Sequence, residues 1–374
     1  MYGQRNIAAI LGFCKDIREV AKPGTLFLNY ANPNVMNTWA ANQFGGVNCV
    51  GLCHGVQGGH QMIADVIKRM INRDKKPGQK GYVEVTMDDV DIVCAGINHQ
   101  TWYIKILYRG QDWTGRMAEG FTAHPELRKT EKVRIDILKR FGYFSTESNG
   151  HLSEYVPWYR KNPAEIRKWI KLGNWSNGET GGYLRICIEG QNWLVTEFPK
   201  LMRESPVDLS TRKRSLEHGS RIIESMVTGR VYRGHFNVVN NGIIKNLPSD
   251  CIVEAPGFVN RLGISMPQVG ALPAGCAAVC SASVNVQRLS VLAAVRGDVQ
   301  LLKQAMLMDP LVGAICTPPA ISQMTDEMLV AQAQWLPQYR KAIPAAKRRL
   351  ASERRLGTSK SKGAARLPIK GARR

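Results

Sequence analysis

Apolar and polar positions follow two different periods along the first hundred residues. A helical period predicts an opening amphipathic helix that ends at Lys22-Pro23-Gly24. Compact apolar runs at 25–30, 47–52 and 91–97 predict strands, and helices are predicted at about 35–43 and across 62–71. A helix–strand–helix–strand–helix order is typical of parallel βαβ units. The pattern therefore predicts an α/β fold with a parallel sheet.

The pattern changes after about residue 100, where longer helices and irregular aromatic-rich segments are predicted. The segment 234–256, which contains four asparagines, is predicted to be a loop, and 175–189 a loop or lid. Helices are predicted at 134–141, about 212–228, 285–308 and about 326–336. We therefore expect three parts: a first domain over 1–100, a second over 101–339, and a basic tail over 340–374.

Polar side chains follow the predicted strands at the points where the strands end. Asn32, the pair Cys53-His54 and the pair Asn98-His99 each come directly after such a strand. Because ligands gather beyond the carboxyl ends of parallel strands, we expect these side chains to converge on one edge of the sheet. A thiol beside an imidazole there is a candidate site. A buried cysteine next to an ordinary loop histidine is the alternative reading, and the pattern alone leaves it open.

The net charge of +21 is concentrated at the end of the chain. Residues 340–374 carry thirteen Lys and Arg and one acid, which accounts for +12 of it. Such a segment buries too little apolar surface to offset its ordering entropy, so the tail is predicted to be disordered and to bind polyanions weakly. Basic residues do not interleave with aromatic ones and zinc-finger spacing is missing, so a nucleic-acid partner is disfavoured.

Cysteine usage and apolar runs indicate the compartment. The nine cysteines are an odd number and show no short-spaced framework, which favours reduced thiols. The sequence contains no apolar run of roughly 20 residues and no secretory signal pattern. We therefore expect a cytoplasmic protein that does not contact a membrane.

Six separated segments carry motifs with a specific combination of Asn, Cys, His and aromatic residues. They are 29–39 (NYANPNVMNTW), 50–58 (VGLCHGVQG), 95–99 (AGINH), 141–158 (FGYFSTESNGHLSEYVPW), 240–248 (NNGIIKNLP) and 283–287 (SVNVQ). In this order they resemble the signatures of glycoside hydrolase family 4, and specifically its branch of α-galactosidases with related α-glucosidases and uronidases. The resemblance runs from about residue 25 to 338.

The resemblance implies an incomplete Rossmann-like parallel sheet followed by a mixed α+β domain of the family 4 type. It also implies a chemistry that departs from the usual pair of carboxylates. In this family NAD⁺ takes hydride from C3 of the sugar, a base removes the C2 proton, and the C1 substituent is eliminated. A divalent metal, typically Mn²⁺, stabilises the enediolate. Water then adds to the unsaturated intermediate and the redox step reverses.

The resemblance also assigns roles to individual residues. Cys53 and His99 match the metal ligands of the family, a donor pair that is consistent with Mn²⁺ without being diagnostic of it. His54 matches the acid that assists the leaving group, and Tyr155 matches the base for C2. The implied substrate contacts are Asn32, Asn98 and His151, for which a loop-bracing role of His151 is the alternative. Three further asparagines either line the sugar pocket or cap turns: Asn240, Asn241 and Asn246.

One part of the family pattern has no match. The family's Gly-rich phosphate loop is missing, and no Gly-x-Gly occurs in the 374 residues, so the residues that bind the cofactor are unassigned. Two predictions of function follow. The first is an NAD- and Mn²⁺-dependent hydrolase of α-galactosides that acts on a small sugar substrate and forms a dimer or tetramer, as the resemblance implies. The alternative is a truncated remnant without activity.

Overall fold

The computed structural model describes residues 1–179, 181–190, 195–203 and 214–356. Its first five elements lie where the apolar pattern predicts them. They are α1 (Tyr2–Val20), β1 (Leu26–Asn29), α2 (Asn34–Phe44), β2 (Asn48–Gly51) and α3 (Gly55–Ile71).

The remaining elements begin with a long hairpin and end in a layer of helices. The middle of the chain contains β3 (Val90–Ile97), β4 (Gln100–Tyr108), β5 (Gln111–Asp112), α4 (Met117–Ala123), α5 (Leu127–Thr130), α6 (Lys132–Phe141), β6 (Phe144–Ser145), α7 (Asn149–Tyr155), α8 (Pro163–Trp169), α9 (Gly182–Glu189) and α10 (Phe198–Arg203). The last part contains α11 (His218–Thr228), β7 (Tyr232–Val239), β8 (Ile252–Asn260), β9 (Gly263–Ser265), α12 (Ala274–Arg296), α13 (Val299–Met308), α14 (Pro310–Ile315), α15 (Pro318–Ala331) and α16 (Ile343–Ser352).

The described strands form a single mixed sheet in the order β1-β2-β7-β8-β3-β4-β5, with β6 paired to β4 and β9 to β8. The predicted α/β class is confirmed, and β1 and β2 are parallel from the pair Leu26–Asn48 to the pair Asn29–Gly51. The prediction that 91–97 extends the parallel series is wrong, because β3 is antiparallel to both β4 and β8.

The burial of β3 explains that error. Ile92 and Cys94 pack into one apolar cluster, and Ala95 and Ile97 pack into the other. A strand that is covered on both faces has a continuous apolar sequence, which is most typical of parallel sheets. The sequence of such a strand contains nothing that specifies the direction of its neighbours.

The segment predicted to be a loop between 234 and 256 contains most of β7 and the start of β8, which lie between β2 and β3 in the sheet. Some of the asparagines in this segment have structural roles. Asn237 is fully buried on β7, and the buried amide of Asn240 donates to the carbonyls of Ile244 and Leu247 at 2.9 and 3.1 Å. The segment 175–189, predicted to be a loop or lid, contains the helix α9.

Two layers of helices cover the sheet. The larger apolar cluster joins α2 and α12 to β3 and β8, and the second joins α3, α4 and α6 to β3 and β4. Among the described residues one helix, α12, is long and apolar enough to cross a membrane, a test that core helices also pass. Cys276, Cys280, Val284 and Val291 of α12 are buried in the larger cluster. All nine cysteines are free thiols.

The basic tail begins as an ordered helix, so the prediction of disorder from residue 340 is wrong for 343–352. Ile343 and Ala346 of α16 are buried. Arg349 donates two hydrogen bonds of 2.8 Å to Asp326 on α15, and Lys303 on α13 lies 3.1 Å from the same carboxylate. The acid that pairs with Arg349, Asp326, lies on a different helix, so the sequence of the tail alone does not reveal this ion pair. Residues 357–374 lie outside the described part of the chain.

The first helix is anchored by residues near the other end of the chain. Gln4 on α1 is 1 % exposed. Its amide nitrogen donates to the carbonyl of Ser290 at 2.9 Å, and its amide oxygen accepts from the Tyr339 hydroxyl at 2.6 Å. The Gln338 amide donates to the Gln4 carbonyl at 2.7 Å.

Candidate active site

Cys53 lies in the short connection between β2 and α3. The backbone N–H of Gly55 donates to its Sγ at 3.4 Å. Burial, together with the nearby carboxyls of Glu254 and Glu147, raises the pKa of the Cys53 thiol to about 12. In these surroundings the thiol holds its proton unless positive charge is supplied beside it.

His99 lies in the tight connection between β3 and β4, with a left-handed backbone at φ 66°. This conformation is uncommon for a residue other than glycine, so the turn holds the imidazole in one direction at a conformational cost. The ring stacks on His151, with centroids 5.1 Å apart and an interplanar angle of 2°. Burial lowers the pKa of His99, and Glu147 partly offsets this effect.

Three potential metal-ligating atoms come together here. The ligand atoms of Cys53, His99 and Glu147 all lie within 4.8 Å of one another. Glu147 comes from the connection between β6 and α7, and its Oε2 lies 3.9 Å from His99 Nε2. A Cβ added to Gly55 would come within 2.8 Å of the same oxygen, so a side chain there would displace the Glu147 carboxylate from this position. Among the described residues this is the one group of three or more such ligands.

Cys53 and His99 meet for a reason that differs from the expected one. They do not follow neighbouring parallel strands. Instead, a row of paired residues crosses the sheet, from Gly51 to Asn237, then to Glu254 and then to Gly96. The ends of β2 and β3 therefore lie at the same level of the sheet although the strands run in opposite directions.

Glu254 lies in that row on β8, is 2 % exposed, and has no role predicted from the sequence. Asn98 donates to its Oε2 at 3.1 Å, whereas its Oε1 has no hydrogen-bond partner in the described structure. Burial raises the pKa of Glu254 to about 7, and the Asn98 hydrogen bond opposes the increase. The amide of Asn98 also contacts the Cys53 thiol. Asn98, predicted to bind substrate, therefore joins the thiol to a buried carboxyl.

The helix α7 carries the predicted base and a second predicted substrate contact. Burial and the neighbouring carboxyls of Glu147 and Glu154 raise the pKa of Tyr155. His151 lies 3.1 Å from Glu154 through Nδ1, and although burial lowers its pKa, hydrogen bonding to that carboxylate gives a net increase. The structure thus places Tyr155 and His151 close to the Cys53, His99 and Glu147 group.

Asn32 has a different environment. It is exposed, precedes the cis peptide bond to Pro33, and accepts a hydrogen bond of 3.3 Å from the backbone N–H of Asn34. The neighbouring Asn34 is buried and donates to the carbonyl of Leu52 at 3.0 Å, directly before Cys53. The described contact that reaches the Cys53 segment is therefore made by Asn34, and the role of Asn32 stays a prediction.

His54 and its neighbours connect the site to the start of α11. His54 is exposed, and its Nδ1 lies 3.3 Å from Glu217 Oε1. His218 Nε2 lies 3.1 Å from the Cys53 carbonyl, and His218 Nδ1 lies 2.7 Å from the Tyr232 hydroxyl. Because a carbonyl can only accept, Nε2 of His218 carries the proton and Nδ1 accepts from Tyr232.

Sequence reasoning missed Glu147, Glu254, Glu217 and His218. Glu147 lies in the polar stretch 146–155, which is unusual between two apolar elements, and that stretch was its available signal. Glu254 is a single acid within an apolar strand, which also occurs at solvent-facing positions. Glu217 and His218 lie in a segment whose contact with Cys53 exists only in three dimensions.

The residues present suit a divalent cation. A thiol, an imidazole and a carboxylate within 4.8 Å of one another make a donor set of mixed softness, which is compatible with a first-row divalent metal. Bound positive charge at this point would oppose the effects of burial that keep the Cys53 thiol protonated. The metal-binding roles of Cys53 and His99 stay a prediction, and the structure places the Glu147 carboxylate beside them.

Comparison with known proteins identifies the class. The model of the family 4 glycosyl hydrolases matches residues 1–69, and the model of their C-terminal domain matches 94–312. The chain is 56% identical over 371 residues to an α-galactosidase of Rhizobium meliloti strain 1021, which covers 99% of this chain and 72% of that protein. It is 30% identical over 340 residues to an α-galactosidase of Bacillus subtilis strain 168, with 90% and 72% covered.

Among solved structures, a 6-phospho-α-glucosidase from gut microorganisms in complex with NAD and Mn²⁺ has the same fold. Its TM-score is 0.67 at 17% identity, covering 90% of this chain and 73% of that one. The matches define the chain as a glycoside hydrolase. It belongs to the family 4 glycosyl hydrolases, which confirms the resemblance seen in its sequence.

Proposed function

We propose that this protein hydrolyses α-galactosides and that Cys53, His99 and Glu147 hold the divalent metal that the reaction requires. The observation that carries the proposal is the convergence of three ligand atoms within 4.8 Å at the level of the sheet where β2 and β3 end. The α-galactosidase that is 56% identical supports the sugar. Family membership supports Mn²⁺ as the metal and NAD as the second cofactor.

A metal held by these residues would act as a Lewis acid on the hydroxyl oxygens of the sugar. Tyr155 is proposed to take the C2 proton. Its phenol starts with a raised pKa, and added positive charge among Cys53, His99 and Glu147 makes the phenolate easier to form. His54 is proposed to give a proton to the leaving oxygen. Glu217, 3.3 Å from its Nδ1, orients the ring.

The three predicted substrate contacts keep their roles in the proposal. Asn98 is held by Glu254, so its side chain has a fixed direction beside the Cys53 thiol. His151 is held parallel to His99 by stacking. Asn32 lies on an exposed turn that the buried Asn34 joins to the Leu52 carbonyl. Each is therefore a polar group on a rigid support, as a sugar-binding site requires.

The nucleotide lacks one recognisable binding element, the Gly-rich loop that holds a pyrophosphate. The 374 residues contain no Gly-x-Gly segment, and the residues of this chain that would contact NAD are unassigned.

The experiment measures p-nitrophenol release from p-nitrophenyl α-galactoside with NAD⁺, MnCl₂ and a thiol reductant, with the β-anomer as the control substrate. Mn²⁺ binding is followed in parallel by electron paramagnetic resonance. Tyr155→Phe is expected to lower kcat by about 100-fold with Mn²⁺ affinity unchanged, because it removes a proton-transfer group but no ligand. Metal binding without any turnover of the α-anomer would refute hydrolysis. If Glu147→Gln binds Mn²⁺ with the same affinity as the wild type, Glu147 is not a metal ligand.

A further inference from the structure

A second cleft lies beside the candidate active site, between α3, β3, β7 and the first turn of α11. Its volume is about 530 Å³, and its polar lining includes Gln57, His60, His218, Arg221, Arg233 and His235. Cys53, His99 and Glu147 are not among its lining residues, so this cleft is distinct from the candidate metal centre. The volume falls within the roughly 300 to 1,000 Å³ typical of sites for small ligands.

Two buried polar atoms of this cleft have no hydrogen-bond partner among the described residues. His235 is 7 % exposed, and its Nε2 is unpaired. Gln57 donates from its amide nitrogen to the Leu216 carbonyl at 3.0 Å, and this leaves its buried Oε1 unpaired. A buried polar group without a partner costs about 1–3 kcal/mol, so two of them lining one cavity indicate that a polar ligand completes them.

An arginine and a helix start beside the cleft favour an anion. Arg221 contacts the Tyr232 ring at 5.8 Å and forms no ion pair among the described residues. The helix α11 begins at His218, so its positive end faces the cleft. Burial, with His218, His60 and Arg233 adding to it, lowers the pKa of His235 to about 3, so this ring is neutral, and Arg233 is paired with Asp91 at 3.2 Å. The acids Asp88 and Asp91 are exposed at the rim.

We infer that this cleft binds the phosphate ester of a small sugar, with the phosphoryl group at Arg221 and His235 and a sugar hydroxyl at Gln57 Oε1. Arg221 supplies a guanidinium that is not already paired, and the neutral His235 ring supplies an N–H donor. Gln57 Oε1 can only accept, so it requires a hydroxyl group and cannot bind the phosphoryl oxygens. A ligand that carries both an oxyanion and hydroxyl groups satisfies all three residues.

The cleft is joined to the candidate metal centre through one side chain. His218 lines the cleft, accepts from Tyr232 at 2.7 Å and donates to the Cys53 carbonyl at 3.1 Å. A ligand that contacts Arg221, one turn further along α11, therefore acts on the same helix end that fixes Cys53. The ester would be an effector of the centre, and its binding does not depend on the proposed hydrolysis.

The test is calorimetric titration of the full chain, without metal or NAD, with galactose 1-phosphate, inorganic phosphate and galactose. We expect galactose 1-phosphate to bind at least about 10-fold more tightly than inorganic phosphate or galactose. Only the ester carries both a phosphoryl group for Arg221 and His235 and a hydroxyl group for Gln57. Arg221→Met should weaken ester binding by at least about 10-fold. Arg230→Met is the matched control, since Arg230 pairs with Glu224 on the exposed surface and does not line the cleft.

Two further variants separate the possible outcomes. Gln57→Leu should remove the preference for the ester over inorganic phosphate, and an unchanged preference would refute the hydroxyl contact. Equal affinities of the wild type and Arg221→Met would refute the site. Cys53→Ser should retain ester binding, and a loss there would place the ester in the candidate active site. Loss of ester binding in Cys53→Ser would therefore refute the second cleft as the binding site and leave the proposed hydrolysis untouched. Ester binding by a protein that does not turn over the α-galactoside would refute only the proposed hydrolysis.

Discussion

Two carboxyl groups in this protein are buried to the same extent and have opposite surroundings. Asp326 and Glu254 are each 2 % exposed. Asp326 accepts two hydrogen bonds of 2.8 Å from Arg349 and lies 3.1 Å from Lys303. The described partners of Glu254 are neutral amides, of which Asn98 donates to it at 3.1 Å. Burial alone raises the pKa of both groups, but the two cations reverse the shift at Asp326, whereas Glu254 reaches about 7.

This difference distinguishes Asp326, an acid that stabilises the fold, from Glu254, an acid in a candidate ligand-binding site. The cations around Asp326 lie on α13 and α16, so the carboxylate joins three helices and contributes to stability. Glu254 lies among Cys53, Asn98 and Glu147, where acids are close together, and it forms no ion pair with a cation in the described part of the chain. Such an arrangement costs stability in the isolated chain and suits a site that receives positive charge from a ligand.

The largest expected effect is on stability at Asp326. Asp326→Asn should lower the free energy of unfolding by about 3 kcal/mol, because it leaves Lys303 and Arg349 without their counter-charge in a partly buried place. Urea denaturation measures the loss. Glu327→Gln, at the next position on α15 and exposed, is the control and should have almost no effect. A loss below about 1 kcal/mol would mean that the ion pairs are only surface contacts.

The next largest effect is expected on the affinity for Mn²⁺. Cys53→Ser should weaken Mn²⁺ binding by about 100-fold, since a hydroxyl is a much poorer ligand than a thiolate. Titration followed by electron paramagnetic resonance gives the two affinities. Cys187→Ser replaces an exposed thiol on α9 and should leave the affinity unchanged. Equal affinities in the wild type and Cys53→Ser would remove Cys53 from the metal centre.

The pH dependence of stability should report on Asp326. Its pKa is lower in the folded chain than the ordinary 3.8, so its stabilising effect is complete above about pH 4 and is lost as the pH falls toward the folded pKa. The difference in unfolding free energy between the wild type and Asp326→Asn should therefore shrink below pH 4, by at most about 1.4 kcal/mol per pH unit. Urea midpoints at pH 7, 4 and 3 measure it. A constant difference would show that the carboxylate is not the stabilising species.

The smallest effect is expected at Glu254. Glu254→Gln should change stability by less than about 1 kcal/mol, or raise it, because the new amide can still accept from Asn98 and can also donate to Asn237 Oδ1, which lacks a partner in the described structure. The same variant should weaken Mn²⁺ binding, since it removes negative charge near Cys53. A loss of stability as large as that of Asp326→Asn would contradict the distinction between the two acids.

The first part of the fold could be predicted because its information is local. The periods of α1, α2 and α3 and the compact runs of β1 and β2 each lie within one short segment. The direction of β3 could not be predicted, since both of its faces are covered. The strands β7 and β8 were missed because their asparagines are typical of turns when their buried partners are unknown.

Some residues of the candidate site could be predicted from the sequence and others could not. Cys53 and His99 follow apolar strands and lie in family signatures, so both strand pattern and resemblance indicate them. Glu147 and Glu254 have no local signal that distinguishes a buried acid from an exposed one. The order of α16 was missed because its acid, Asp326, is supplied by another helix. Long-range charge pairing is absent from any local pattern.

The anchoring of Gln4 has a consequence for synthesis on the ribosome. Its partners Ser290, Gln338 and Tyr339 follow it by 286, 334 and 335 residues. At roughly 5 to 20 residues per second, the first helix emerges about 20 to 70 seconds before its last partners have been added. During that interval the surface of α1 that later packs on α12 stays uncovered in the nascent chain, although Ile10 and Cys14 can already pack on Ala41 and Cys49. The last step of folding therefore waits for translation to reach residue 339, and a pause late in translation would prolong the exposure of the first helix.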